Sequence, residues 1–172
     1  FDLIPAFATP IPLVIICELL GVPAAEGQNL LDWSHAMCAM YVPHRTMEVE
    51  VAANRACADF QDFMTRHIDS HAKSGADDLL SALIAVRDAG EKLTNDELIS
   101  TCVLLLNAGH EATVHQTGNA VKTILEEGGD ARRFFNTPAS ADATVEECLR
   151  YDAPLHMFTR YAYETVEISD GI

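Results

Sequence analysis

The chain has 172 residues, of which 49% are hydrophobic and 22% are charged, and its formal net charge is −15. This negative charge argues against nucleic acid or an anionic membrane as a partner, because both need a basic protein surface. The composition is that of a folded globular protein, and no segment resembles a membrane span or a signal peptide, so we expect a cytoplasmic protein.

The first half of the chain predicts four helices from its apolar spacing and its glycine and proline positions. They cover residues 10–23, 26–40, 46–73 and 74–90. Gly21 is the expected stop of the first helix and Gly90 that of the fourth. Either Ser74 or Asp77 is the expected N-cap of the fourth helix.

A much longer helix is predicted after Leu93. Thr94 and Glu97 have the spacing of a capping box, and Gly128-Gly129 marks the other end. Roughly 33 helical residues would extend about 50 Å. Leu104–Leu106 are consecutive apolar residues, which predicts that this part of the helix is buried on all sides.

The last third of the chain predicts one more helix and some strand. Residues 143–154 form the helix, which Pro154 ends, and residues 156–168 alternate and are rich in Thr, Tyr and Val. The expected fold is therefore mainly α, with a small β part at the carboxyl end. The first residue is Phe1, and the final Asp-Gly turn signal has no strand after it, so we expect residues 1–172 to be one partial domain.

The five cysteines predict no disulfide framework and no zinc ribbon. They are spread along the chain without a C-x-x-C pair, and their number is odd. The sequence indicates buried free thiols in a reducing cytosol.

The segment NAGHEATVHQ, residues 107–116, differs from the zinc-protease motif H-E-x-x-H by one residue of spacing. His110 and His115 are five residues apart, which places them about 140° apart around a helix. They cannot chelate one ion from an intact helix, so we predict no metal site here.

Glu111 leaves two interpretations open. An ionised carboxylate in an apolar helix costs several kcal/mol unless it is paired or hydrated. It can lie on a solvated stripe of the helix, or it can be kept beside a water-filled cavity for proton transfer. Ala108, Gly109 and Ala112 add a patch of small side chains, which fits either a bulky flat ligand or a helix crossing.

Several segments together resemble the cytochrome P-450 family, the heme-thiolate monooxygenases. AGHEATV resembles the family signature A-G-x-[DE]-T-T, and Glu147-Cys-Leu-Arg150 matches the family's E-x-x-R helix. CELLGVP, DDLLSALIAV, LTNDELI, EECLRYDAP and FTRYA follow the family's order and spacing. The resemblance covers essentially the whole chain and is greatest to the soluble bacterial class.

The resemblance implies roles for the central helix. Ala108, Gly109 and Ala112 would face the oxygen-binding side of the heme, and Leu105 and Ala108 would line the substrate pocket. Glu111 would be the acid of the acid–alcohol pair that delivers protons during oxygen activation. The family's usual threonine after this acid is Ala112 here, and Thr113 points about 100° away. We expect water or a substrate hydroxyl to supply the missing hydroxyl group.

It also implies roles near the carboxyl end. Glu147 and Arg150 would form a buried structural ion pair, and Arg160 would bind a heme propionate. Three residues would lie on a turn that faces the substrate: Leu155, His156 and Met157. The cysteine loop that ligates the heme iron is not in this sequence, so we expect no activity from residues 1–172 alone.

The resemblance implies an enzyme that inserts one oxygen atom from dioxygen into a small apolar or amphipathic molecule. Its electrons would come from NAD(P)H through a partner such as a ferredoxin. Two alternatives remain open from the sequence: a heme-free helical module that only binds, and a cytochrome P-450 that catalyses oxidative coupling.

Overall fold

The computed structural model describes residues 1–90, 93–157 and 162–166, and six α-helices lie within these ranges. They are α1 (Pro10–Leu19), α2 (Gly27–Cys38), α3 (Met47–His71), α4 (Leu79–Asp88), α5 (Asn95–Glu126) and α6 (Pro138–Tyr151). A π-helical segment, Ile4–Ala8, precedes α1, and short 3₁₀ turns occur at Ala24–Glu26, Ala39–Tyr41 and Ala131–Phe135. The mainly α fold expected from the sequence is confirmed.

The boundaries of α1 and α4 follow the sequence signals with one correction. Gly21, just after α1, has φ of 59°, and a Cβ atom there would lie 2.2 Å from Cε1 of His71. Asp78 is the N-cap of α4, because its carboxylate accepts a hydrogen bond from the Ser81 backbone N–H at 2.8 Å. Both predicted N-caps are therefore wrong, Asp77 by one residue and Ser74 by four, because the side chain that reaches the free N–H of the first turn is that of Asp78.

Helix α5 is the longest element, and its 32 residues correspond to about 48 Å. The Thr94 side chain accepts from the Glu97 N–H, and the Glu97 carboxylate accepts from the Thr94 N–H, so the capping box is confirmed. One stripe of α5 is buried at every fourth residue: Leu98, Cys102, Leu106, His110 and Val114. Leu104 is 64% exposed, so burial on all sides, predicted for Leu104–Leu106, is wrong.

The core lies where α1–α4 pack against this stripe. Phe60, Met64 and Ile68 of α3 are fully buried beside Leu20 and Leu106. Trp33 of α2 packs edge-on against Phe60, with ring centroids 6.0 Å apart. Apolar residues from four successive helices thus position α5 from one side, and α6 and the segment Ile4–Ala8 also contact it.

The cysteines are free thiols, as predicted, but not all of them are buried. Cys17, Cys102 and Cys148 are buried, and burial raises the pKa of Cys102 to about 11. Cys57 is exposed, because α3 turns Ala56 toward the core instead.

The predicted strands are absent from the described part of the carboxyl end. Residues 155–157 and 162–166 contain no strand, and they are mainly exposed with no partner segment along them. A strand needs a hydrogen-bonded partner, which sequence alternation alone does not supply. Residues 158–161 and 167–172 lie outside the described residues.

Candidate functional site

The two histidines of NAGHEATVHQ have different environments. His110 belongs to the buried stripe of α5 and is 1% exposed, whereas the His115 side chain is 65% exposed. Burial lowers the pKa of His110, and the nearby charge of Glu111 opposes this shift only partly. The two rings point to different sides of the helix, in agreement with the spacing argument against a joint metal site.

Glu111 lies between the buried stripe and the open side of α5. Its Oε1 atom is 3.2 Å from Nε2 of His35 in α2, and its Oε2 atom is 3.4 Å from Nε2 of His115. The carboxylate is thus paired with two imidazoles, both of which are more than half exposed. Of the two interpretations of Glu111, a simple solvated stripe is the weaker, since the side chain itself is only 23% exposed.

The small residues of α5 do not all serve one purpose. A Cβ atom on Gly109 would lie 3.3 Å from Cδ1 of Ile16, so this glycine allows α1 and α5 to approach closely. Ala108 and Thr113 are exposed, and Ala112 is half-buried beside a groove. The helix-crossing alternative therefore describes Gly109, while Ala108 is exposed and Ala112 and Thr113 line a groove on another side of α5.

That groove separates α5 from α6 and has a volume of about 450 Å³. Its wall on α5 runs from Ala112 to Ile124, and Leu149 and Pro154 contribute from the other side. Both amide atoms of Gln116 are buried in it without a hydrogen-bond partner among the described residues. A buried, unsatisfied amide normally signals a missing water or ligand.

The Glu147–Arg150 pair forms, but it is not buried. Nε of Arg150 donates to Oε2 of Glu147 at 2.7 Å, and Nη2 donates to Oε1 at 2.6 Å. The side chains are 59% and 70% exposed, so the predicted burial of this pair is wrong for the described structure. The reason is that none of the described elements packs over this side of α6.

The residues expected to contact substrate are in separate environments. Leu105 is partly buried and packs against the core cluster, whereas Leu155 and Met157 are exposed beyond α6. His156 is exposed, with Nε2 3.8 Å from Oδ1 of Asp152. Arg160 lies outside the described residues.

His35 is the site residue that sequence reasoning missed. It lies in α2, 76 positions before Glu111, and only the packing of α2 against α5 brings the two together. Its ring is also near that of His110, with centroids 5.9 Å apart. No local pattern in the sequence connects these helices.

The chain matches no protein-family model. It is 35% identical over 170 residues to the mycinamicin IV hydroxylase/epoxidase of Micromonospora griseorubida. The aligned region covers 97% of this chain and 41% of that protein. The crystal structure of P450BioI with an acyl carrier protein ligated to hexadec-9Z-enoic acid superimposes with a TM-score of 0.88. That match has 29% identity and covers 98% of this chain and 43% of the other.

The chain belongs to the cytochrome P450 family. It is also similar to the cytochrome P450 enzyme CxnD, for C–S bond formation in chuangxinmycin biosynthesis, at 33% identity and a TM-score of 0.74 over 89% of this chain and 36% of that one. The chain spans about 40% of the length of the curated relatives it matches. In this cytochrome P450 chain, none of the described helices is long and apolar enough to cross a membrane.

Proposed function

We propose that this cytochrome P450 chain is part of a monooxygenase that inserts one oxygen atom from dioxygen into a small organic molecule. The similarity to a hydroxylase/epoxidase supports this reaction class. Residues 1–172 would be one part of a single catalytic domain. Electrons would arrive from NAD(P)H through a ferredoxin or a similar donor.

The residues on the open side of α5 fit a large, flat, apolar group such as heme. Ala108, Ala112 and Thr113 leave room close to the helix backbone, and the groove beyond Ala112 is mostly apolar. The unsatisfied amide of Gln116 also indicates that something occupies this groove. When bound, the heme iron would supply the activation of dioxygen.

The proton-delivering residue of this site would be Glu111, and its pairing is the observation that carries the proposal. The carboxylate contacts two imidazoles that reach solvent, His35 and His115, so protons can pass between Glu111 and bulk water. Ala112 follows Glu111 and has no hydroxyl, and Thr113 projects about 100° further around the helix. Ordered water or a substrate hydroxyl would complete the path.

The remaining site residues would bind the heme and the substrate or stabilise α6. Arg160 would bind a heme propionate, as guanidinium groups do with carboxylates. Glu147 and Arg150 would stabilise α6 itself through their bidentate contact within the helix. An apolar or amphipathic substrate would contact the following residues: Leu105, Ala108, Leu155, His156 and Met157.

The test of this proposal is the absorption spectrum of the full-length protein in its reduced, carbon-monoxide-bound form. A Soret band shifted in the manner typical of thiolate ligation is the expected result. A colourless protein after expression with ample heme precursor would overturn the proposal and favour the heme-free helical module.

Oxidative coupling is a second candidate, which the absence of a hydroxyl at Ala112 favours together with the similarity to CxnD. The variant Ala112→Thr in the full-length enzyme tests how the missing hydroxyl is compensated. If water or substrate compensates for the hydroxyl, product formed per NAD(P)H consumed is already high and changes little in the variant. A sharp rise with every substrate would show instead that the natural site delivers protons poorly.

A further inference from the structure

The crossing of α2 and α5 contains a group of polar side chains that lack hydrogen bonds. This α2–α5 polar cluster consists of Ser34, His35, Asn107, His110 and Glu111. Four buried atoms in it have no hydrogen-bond partner within the described ranges: Ser34 Oγ, Asn107 Oδ1, and Nδ1 and Nε2 of His110. Oε1 of Glu111 also lacks a hydrogen bond, although it forms the ion pair with His35. Since buried polar groups almost always have partners, this concentration indicates an occupant that is a water or an ion.

The positions of three possible metal-ligand atoms favour an ion over a water molecule. A ring nitrogen of His35, one of His110 and a carboxylate oxygen of Glu111 all lie within 4.8 Å of one another. Nε2 of His35 is 3.2 Å from Oε1 of Glu111, yet Oε1 has no hydrogen bond. Ligands of a tetrahedral zinc ion at 2.0–2.1 Å are about 3.4 Å apart, so the two atoms are spaced as neighbouring zinc ligands are.

We propose that His35, His110 and Glu111 bind a zinc ion, with a fourth position open to water. Two imidazole nitrogens and one carboxylate oxygen are a ligand set that zinc prefers, and three protein ligands leave such a position. The ion would satisfy one buried ring nitrogen of His110 and Oε1 of Glu111 together. His35 is half exposed, so an ion can enter from solvent, and the net charge of −15 favours a cation.

The proposed ligand set takes its two imidazoles from different helices, His35 from α2 and His110 from α5. His115 is not part of the ligand set, although its Nε2 atom is 3.4 Å from the other oxygen of Glu111. Spacing within one helix excludes a zinc ion shared by His110 and His115, but it does not limit a histidine that comes from α2.

The zinc site does not depend on the proposed oxygenase function. Zinc binding needs only α2 and α5, and it is measured without substrate, dioxygen or electrons. The two proposals do share Glu111, so a zinc ion would hold the carboxylate that otherwise transfers protons. Zinc would therefore act as an inhibitor of an active enzyme.

The test is a calorimetric titration of the full-length protein, without an affinity tag, with zinc chloride at pH 7.5. We expect one ion bound per chain. His35→Ala should weaken binding by more than about tenfold, because even outer-shell changes have effects of that size. His115→Ala is the matched control: it also removes an exposed imidazole that contacts Glu111, and it should change the affinity less than about threefold.

Glu111→Gln is the second variant, and it should weaken binding as His35→Ala does without disturbing the buried core. The X-ray absorption spectrum of the zinc-loaded protein should fit two imidazoles and one carboxylate. The proposal is overturned if zinc does not bind, or if His115→Ala weakens binding as much as His35→Ala. It is equally overturned if a zinc-soaked crystal contains only ordered water in the cluster.

Discussion

Adjacent residues in the middle of α5 have opposite environments. His110 is 1% exposed and packs in the core, while Glu111 is partly exposed and contacts two histidines. Successive helical residues are 100° apart, so one step along the chain moves a side chain from the core to the margin of the helix interface. This rotation separates a buried imidazole from a carboxylate that contacts two partly exposed imidazoles.

Replacing Glu111 tests its role in proton delivery. In the full-length enzyme, Glu111→Gln should reduce turnover by about 10²-fold, the usual contribution of a general acid, while substrate affinity stays close to that of the wild type. Steady-state turnover and the substrate-induced change of the heme spectrum measure the two effects. Glu126→Gln, an exposed change near the end of the same helix, is the control. Equal turnover of both variants would contradict the proton-delivery role.

At the scale of elements, α5 begins at a capping box that the local sequence determines. Its buried stripe instead depends on contacts with other helices. The buried residues of the stripe recur at every fourth position, a spacing that drifts about 40° per step around the helix. Glycine appears where neighbours come closest: the Cβ positions of Gly109 and Gly118 face Ile16 and Ile4. The stripe therefore wraps around α5 and leaves its opposite face for the groove.

Removing the cap of α5 should destabilise the protein modestly. Thr94→Ala deletes the acceptor of the Glu97 N–H, and helix caps of this kind contribute about 1 kcal/mol. Urea unfolding should show a lower midpoint with an unchanged slope. Thr94→Ser keeps the hydroxyl and should behave nearly as the wild type does. A loss of the same size in Thr94→Ser would mean that the hydroxyl is not what stabilises this end.

Element positions were largely predictable because their signals are local. The capping box at Thr94, the stop at Gly90 and the length of α5 depend on residues within one or two turns. The predicted N-cap Asp77 of α4 was wrong by one residue, since Asp77 and Asp78 are equally good caps by residue type. Asp78 also binds His71 of α3, and that contact is invisible in the local sequence.

At the scale of the whole molecule, the contact between His71 and Asp78 joins α3 to α4. Nε2 of His71 is 2.8 Å from Oδ2 of Asp78, in an environment where both side chains are largely buried. Burial raises the pKa of Asp78, but hydrogen bonds from Ser81 and His71 outweigh it, and the pKa lies below its ordinary value. His67, whose ring lies 5.2 Å from that of His71, binds the carbonyl of Leu20 and so extends the network to the end of α1.

The stability from Asp78 should therefore depend on pH. Because its pKa is lower in the folded state, its contribution is complete above the unfolded value of about 3.9 and is lost as pH falls below it. Asp78→Asn should cost about 2 kcal/mol at pH 6, and this cost should shrink as pH falls below about 3.9 toward the lowered folded-state pKa. Urea unfolding across this range measures the difference, with exposed Asp77→Asn as the control. A cost for Asp78→Asn that stays constant with pH would contradict this assignment.

The sequence by itself determined the helices, their main stops and the family, because hydrophobic periodicity, caps and short motifs act over a few residues. It also excluded a joint metal site at His110 and His115, since the geometry of one helix follows from spacing alone. Only the tertiary structure decided which side of α5 is open, that Glu147 and Arg150 are exposed, and that Gly109 lies against Ile16. It alone brought His35 to Glu111 across 76 positions. Contacts between distant helices depend on how whole faces pack, and that information is spread over the chain rather than written in any one segment of it.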